Sequence, residues 1–198
     1  MSAALPAAAQ VTSPTPTTPA APTVSTPTPA PDLPGYRVGE QGPGGGIVFY
    51  DAGSRRPWGR YLEVAPPGWA GASRDNRVQW CADDRRGYPV SLQTAQGIGT
   101  GKRNTRLITE ACGRNSAAGA AAGYRGGGKR DWYLPAKDEL AELYRRREVV
   151  GGFATGLFWS STQFPDLIFL AWGQNFRTGD QIEFYKYNEI RVRPIRGF

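Results

Sequence analysis

The sequence predicts an α+β domain behind an extended N-terminal stalk, and three observations carry that prediction. Composition changes abruptly near residue 34. Residues 1–34 hold nine of the 17 prolines and seven threonines, but no glycine, lysine, arginine or aromatic residue. Beyond that boundary, β-branched and aromatic runs sit near both ends of the chain. Between them lie segments with helical apolar spacing. Strands first and last with helices between them fit an α+β arrangement better than alternating βαβ units. The 164 residues from 35 to 198 are enough to bury a core of their own.

Residues 1–34 are expected to form a disordered Pro/Thr-rich stalk. Proline at this density removes backbone donors and holds its neighbours extended. The segment therefore reads as a semi-rigid polyproline-II spacer of about 3.1 Å per residue. Its hydroxyls suit O-linked sugar. Ala4-Leu5-Pro6-Ala7-Ala8-Ala9-Gln10 has the form of a signal-peptide remnant, with Ala7 and Ala9 at the small-x-small positions. An Ala-rich linker is the alternative. Export to a secreted or cell-surface location is the expectation. No stretch approaches the ~20 apolar residues that cross a bilayer, so the chain is expected not to span a membrane.

In the domain, Gly42-Pro43-Gly44-Gly45-Gly46 is a turn cluster ahead of the strand Ile47-Val48-Phe49-Tyr50-Asp51. Tyr61-Leu62-Glu63-Val64-Ala65 alternates in the same way and stops at Pro66-Pro67-Gly68. The two strands are expected to pair antiparallel around Arg55-Arg56-Pro57-Trp58-Gly59. Residues 69–101 lack sustained periodicity and read as a long loop region tied down by Trp69, Trp80 and a cysteine. Gly97-Ile98-Gly99-Thr100-Gly101-Lys102 invites a phosphate-loop reading, but the glycine spacing is wrong and Arg103 stands where Ser or Thr is needed. A glycine turn entering a helix near Asn104 is the better reading. Leu107, Ile108, Ala111 and Cys112 form that helix's apolar face. The Ala/Gly-rich continuation to Tyr124 is either a second short helix or a close-packed turn.

Ala136–Arg147 is the clearest helix. Pro135 fits its entry, and Leu140, Leu143 and Tyr144 form its apolar stripe. Asp138 and Glu139 in the first turn, with Arg145, Arg146 and Arg147 in the last, complement the helix dipole. After Gly151-Gly152 three strands are expected, at Leu157–Thr162, Leu167–Phe176 and Ile190–Ile195. Arg177-Thr178-Gly179-Asp180-Gln181 reads as a hairpin turn.

Several chemistries lack their residues. Without histidine, Ser–His and Cys–His nucleophile pairs cannot form, and the usual His/Cys zinc sets are missing. Asp83-Asp84 and Asp138-Glu139 are adjacent carboxylates that read as solvated charge. No catalytic residue, metal site or cofactor is expected, and the chain is not expected to be an enzyme. Cys81 and Cys112 are expected to form a disulfide in an exported protein. Closing their 31-residue separation would contribute about 3–4 kcal/mol in the chain-entropy model. Two buried free thiols are the alternative.

Binding chemistry is better supplied. Beyond residue 34 the chain carries 24 basic and 16 acidic residues, a net charge of +8, and 20 of the basic residues are arginine. This surplus favours acidic partners. The clusters are Arg55-Arg56-x-x-x-Arg60, Arg85-Arg86, Lys102-Arg103-x-x-Arg106, Lys129-Arg130 and Arg145-Arg146-Arg147. A guanidinium fork suits bidentate contact with sulfate, phosphate or carboxylate. Each cluster alone reads as a solvated face; five together favour an acidic-polymer site.

Several segments recur in order: Gly42 to Tyr50, Tyr61 to Pro66, and Gly99-Thr100-Gly101-Lys102-x-Asn104-Thr105. Then come Asp131-Trp132-Tyr133-Leu134-Pro135-x-Lys137-Asp138-Glu139-Leu140, Gly151-Gly152-Phe153-Ala154 and Trp159-Ser160-Ser161-Thr162. Ala171-Trp172-x-Gln174-Asn175-Phe176 and Val192-Arg193-Pro194-Ile195-Arg196-x-Phe198 close the set. Together they resemble the C-terminal domain family of the Legionella collagen-like protein, over about residues 36–198. The resemblance implies a C-type-lectin-like fold with paired N- and C-terminal strands and helices flanking a loop-rich sheet. The family's named member is a trimeric adhesin that binds sulfated glycosaminoglycans through a basic surface. Relatives of the same fold include the formylglycine-generating enzymes, whose Leu-Pro-Thr-x-x-Glu is similar to Leu134-Pro135-Ala136-x-x-Glu139.

This chain departs from the family in three ways. No collagen-like repeat precedes the domain, which leaves homo-oligomerisation open. Ala136 removes the Ser/Thr half of a capping box. The cysteines come before Leu134-Pro135, whereas the formylglycine enzymes carry a late copper-binding pair. The calcium-ligating tripeptides of sugar-binding C-type lectins are also missing. The expected function is thus an exported adhesin-like module binding anionic polysaccharide or glycosaminoglycan. The expected site residues are Arg55, Arg56, Arg60, Lys102, Arg103, Arg106, Lys129, Arg130, Arg145, Arg146 and Arg147. The alternatives are a structural envelope domain binding a protein partner and, more weakly, an enzyme on the formylglycine-type scaffold. The expected export argues against nucleic acid as a partner.

Overall fold

The computed structural model describes Met1 and residues 35–71, 75–81, 90–153 and 156–198. The stalk expected before residue 35, and the Asp83-Asp84 and Arg85-Arg86 pairs, lie outside the described residues. The fold is mixed α+β, with strands at both ends and helices between. It begins with β1 (Ile47–Arg56) and β2 (Gly59–Val64), an antiparallel hairpin closed by the Arg56↔Gly59 pair. Gly59 has φ +121°, and a Cβ there would run into the backbone of Phe198. Two short strands follow at the end of the chain, β7 (Glu189–Arg191) and β8 (Ile195–Gly197). β8 lies antiparallel on β2, so the C-terminal strand completes the sheet that the N-terminal hairpin starts.

The second sheet has the order β3–β7–β4–β5–β6, with β3 at Arg77–Gln79, β4 at Leu157–Gln163, β5 at Leu170–Asn175 and β6 at Gln181–Tyr185. Its pairs are antiparallel except β4–β7, which is parallel. Four helices lie between β3 and β4 in sequence: α1 (Gly101–Cys112), α2 (Ala117–Gly123), α3 (Lys137–Arg145) and the single turn α4 (Arg147–Val150).

Several elements differ from the sequence reading, each for a local reason. The single strand expected over Ile190–Ile195 is two strands in different sheets. Between them Pro194 has no N–H to donate, and Arg193 turns inward to a buried carboxylate. β3 lies in a region read as loop, since three residues are too short to show a period. β6 is an edge strand whose polar and exposed residues disguise it. The helix expected near Asn104 starts at Gly101, and the one expected to reach Arg147 ends at Arg145. The Ala/Gly-rich stretch is a helix: Ser116 caps α2, its hydroxyl accepting from Gly119 N–H at 3.0 Å.

Two apolar clusters make the core. One gathers Trp80, Ile108, Leu134, Trp159, Ile190 and Val192 with the alanines of α2. The other gathers Phe49, Leu62, Tyr133, Leu140, Leu143, Phe153, Phe158, Phe176 and Ile195. The loop ahead of α1 is tied down as its tryptophans suggest: Trp69 Nε1–H donates to Val192 O at 2.9 Å and Trp80 Nε1–H to Ser160 O at 2.8 Å. Cys81 and Cys112 are joined in a disulfide that fastens this loop to the end of α1.

Candidate functional site

The site is framed by three buried carboxylates that hold loops and helix ends in place. Glu63, fully buried on β2, accepts N–H groups from Gly44 at 3.0 Å and Gly46 at 3.2 Å and the Arg196 guanidinium at 2.7 Å. This explains the glycine cluster ahead of β1: a Cβ on Gly44 would lie 2.6 Å from the Glu63 carboxylate. Arg196 also donates to Asp131 Oδ1 at 2.5 Å. On the other side, Arg193 makes a fully buried bidentate pair with Asp75, at 2.8 and 2.5 Å. Burial pushes the Asp75 carboxyl up, against the pull of Arg193.

The third carboxylate, Glu139, meets no cation among the described residues. Its Oε2 accepts Ala136 N–H at 2.7 Å, and its Oε1 accepts Gly99 N–H at 2.8 Å and the Tyr133 hydroxyl at 3.3 Å. The Gly101 N–H donates to it as well. One carboxylate therefore caps α3 and the start of α1 together, and satisfies first-turn donors of both helices. Only the Glu half of the capping box is made, because Ala136 offers no oxygen. Burial pushes the Glu139 carboxyl up to about 7, while the N–H donors pull it down. Burial and the neighbouring Glu139 push the Tyr133 hydroxyl well above its ordinary range.

Beside this frame runs a groove of about 280 Å³ between α1 and the segment 130–133. Lys102 and Arg106 come from one side, one helical turn apart, and Arg130 from the other. Thr105, Thr109, Trp132 and Tyr133 complete the wall. Two carboxylates also line it, Glu110 and Asp131, and Asp131 is already engaged by Arg196. Arg106 has a loose, exposed pairing with Glu110 at 3.9 Å. Lys102 and Arg130 meet no carboxylate among the described residues. The Thr109 Oγ1 is buried and has no hydrogen-bond partner among them.

The basic residues expected to form one site are thus divided. Lys102, Arg106 and Arg130 converge, with half-buried Lys129 next to Arg130 in the chain. Arg103 points elsewhere and donates to Gln93 O at 2.9 Å. Arg55 and Arg56 are exposed at the end of β1. Arg60 forks onto Asp51, at 2.9 and 3.1 Å, and that hydrogen-bonded pairing holds the Asp51 carboxyl below its ordinary range. Arg145 pairs with Glu142. Arg147 lies over the Tyr144 ring at 4.2 Å and donates to Tyr144 O, while Arg146 N–H closes the end of α3. The triple arginine is therefore largely a helix terminus.

Sequence reasoning missed the groove's threonines. Thr105 and Thr109 lie four residues apart on α1, on the same side as Lys102 and Arg106, and that i, i+4 spacing was the available signal. Trp132 and Tyr133 are nearly fully buried, yet they line the groove. Chemically the groove offers cations and hydroxyls. Its one acid–phenol pair, Glu139 with Tyr133, is buried behind the wall. Among the described residues no three His, Cys, Asp or Glu side chains gather as a metal site would need. No described helix is long and apolar enough to cross a membrane. A scan against protein-family models and a search of curated proteins each returned no match.

Proposed function

We propose that residues 35–198 form an exported, adhesin-like module of C-type-lectin-like fold that binds sulfated or otherwise anionic polysaccharide without chemistry of its own. The observation that carries this reading is the groove holding Lys102, Arg106 and Arg130, two of them without an ion pair among the described residues, at the meeting of two sequence clusters. The lectin-like fold is supported by the C-terminal strand lying on the N-terminal hairpin, and by helices inserted between β3 and β4 of a larger sheet. Sulfate and carboxylate groups suit guanidinium forks, and a screened electrostatic site loses affinity as salt rises.

The test is retention of the full chain on immobilised heparin and on desulfated heparin across a salt series. Sulfate-dependent retention that weakens steeply with salt, and is lost in Lys102→Glu/Arg130→Glu, is the expected result. No retention at low salt would remove the reading.

A domain binding a protein partner is the second reading. It is favoured by the exposed rings of Phe169, Tyr185 and Tyr187, which stack at 5.9 and 5.1 Å beside edge strand β6. Salt-insensitive capture of a protein would distinguish it. An enzyme on the formylglycine-type scaffold is the weakest reading, because the two cysteines precede Leu134-Pro135 and are bonded to each other.

A further inference from the structure

A second cleft is larger than the basic groove. It lies along α2, has a volume of about 490 Å³, and is lined by Trp69, Asn76, Arg114, Tyr124 and Arg125 over a floor of α2 residues. That volume falls within the ~300–1,000 Å³ usual for small-molecule sites.

Its walls are fixed in advance. Trp69 is held by the hydrogen bond from its indole N–H to Val192 O at 2.9 Å. Tyr124 packs edge-on against Trp69 at 5.5 Å and against Trp132 at 4.9 Å. Arg125 is anchored through one nitrogen, Nη1, which donates to Ala122 O and Tyr124 O, both at 2.7 Å. Its Nε and Nη2 have no acceptor among the described residues. Arg114, exposed just past α1, makes no side-chain hydrogen bond or ion pair among them. Two guanidinium groups therefore reach one cleft, and among the described residues no carboxylate lines it to neutralise them.

The floor gives independent support. Gly119 is required by packing, because a Cβ there would collide with the backbone of Arg114. Gly123 has no such reason. It sits in the last turn of α2 outside the left-handed region, and a Cβ would meet nothing within 4 Å. Glycine is unfavourable in a helix where alanine would fit. Here it leaves the cleft floor open.

We infer that this cleft binds a single carboxylated sugar ring, a hexuronate unit, distinct from the charge-dense polymer assigned to the Lys102–Arg106–Arg130 groove. The apolar face of a pyranose packs on the exposed parts of Trp69 and Tyr124, whose aromatic bodies offer apolar surface with a fixed orientation. The planar carboxylate takes the free forks of Arg114 and Arg125. The Asn76 amide meets a ring hydroxyl. The inference stands apart from heparin binding in the first groove.

The full chain, labelled with nitrogen-15, is titrated with methyl glucuronide and separately with methyl glucoside. Saturable shifts of the Gly119, Ala120 and Gly123 amides and the Trp69 indole N–H are expected with the glucuronide. At least a tenfold weaker response is expected with the neutral glucoside. Arg114→Ala/Arg125→Ala should remove the preference. Gly123→Leu should block both sugars while leaving the fold and heparin retention unchanged. No shift at these four groups, equal shifts with both sugars, or shifts confined to the residues around Lys102 would each overturn the inference. Glucuronide binding without heparin retention would leave it standing and remove the polymer reading instead. Heparin retention without a glucuronide response would do the reverse.

Discussion

Arginine does opposite work in two regions of this molecule. Along the C-terminal segment that follows β7, Arg193 is about 1% exposed and Arg196, in β8, about 9%, and both are held by carboxylates, with carbonyls added at Arg193. Along α1 and α2, Arg106, Arg114, Arg125 and Arg130 are exposed, and none has a close carboxylate partner among the described residues. A burial cost of several kcal/mol per ion explains the first arrangement: an arginine enters the core only where its carboxylate and carbonyl partners enter with it. The second leaves guanidinium groups solvated and available. Net charge alone does not report binding capacity, because part of the +8 is spent internally.

The sharpest way to break this comparison is to treat Arg193 as if it were a surface arginine. Arg193→Ala leaves Asp75 buried without its partner and empties the space over the Phe153 ring, where the guanidinium sits at 4.4 Å. A loss of about 3–5 kcal/mol is expected in urea denaturation. Burial already pushes the Asp75 carboxyl up. Without Arg193 it rises further, so the loss should be greatest at neutral pH and shrink in acid, where Asp75 takes up a proton. A loss below about 0.5 kcal/mol, the range of surface substitutions, would mean the pair contributes little and the contrast fails.

The two regions also differed in how readable they were. The β1–β2 hairpin and the α3 helix were legible because their signals are local: alternation, a glycine turn, a 3-and-4 stripe. The convergence of Lys102, Arg106 and Arg130 was not legible, because it joins segments more than 20 residues apart and depends on how α1 meets the segment ahead of Leu134. Arg193 and Arg196 look no different in sequence from Arg145 and Arg146. Only the distant Asp75, Glu63 and Asp131 decide that they are internal. Gly123 carried its information in the contact that it does not make.

Glu139 sharpens the comparison from the acidic side, since it is buried on N–H donors without an arginine. Its carboxyl lies at about 7 in the fold against an ordinary 4.5. The folded chain therefore holds this proton more tightly than the unfolded one. Its contribution is complete below about pH 4.5 and lost as pH rises through about 7, amounting to at most about 3 kcal/mol. Carbon-13 titration of the Glu139 carboxyl should give a midpoint near neutrality, whereas an ordinary midpoint would show that the four donors outweigh burial. Ala136→Ser restores the missing capping oxygen for the Glu139 N–H, and a gain of about 0.5–2 kcal/mol is expected by thermal melting. An unchanged or lower melting temperature would mean that the hydroxyl cannot be accommodated where Ala136 is fully buried.

The smallest stability effect should come from the groove itself. Lys102→Glu and Arg130→Glu each reverse a charge that makes no ion pair among the described residues, so folding stability should change by no more than about 0.5 kcal/mol. Lys102 lies in the first turn of α1, where the helix dipole favours acidic residues, so Lys102→Glu should if anything be slightly stabilising. Arg193→Ala lowers the net charge by one and Lys102→Glu by two, yet their effects should differ in kind rather than in degree. The first should lower stability and leave heparin retention of the remaining folded protein intact. The second should leave stability intact and lower retention. If Arg130→Glu instead destabilised the fold by several kcal/mol, Arg130 would belong with the internal arginines, and the groove would be a structural seam rather than a binding surface.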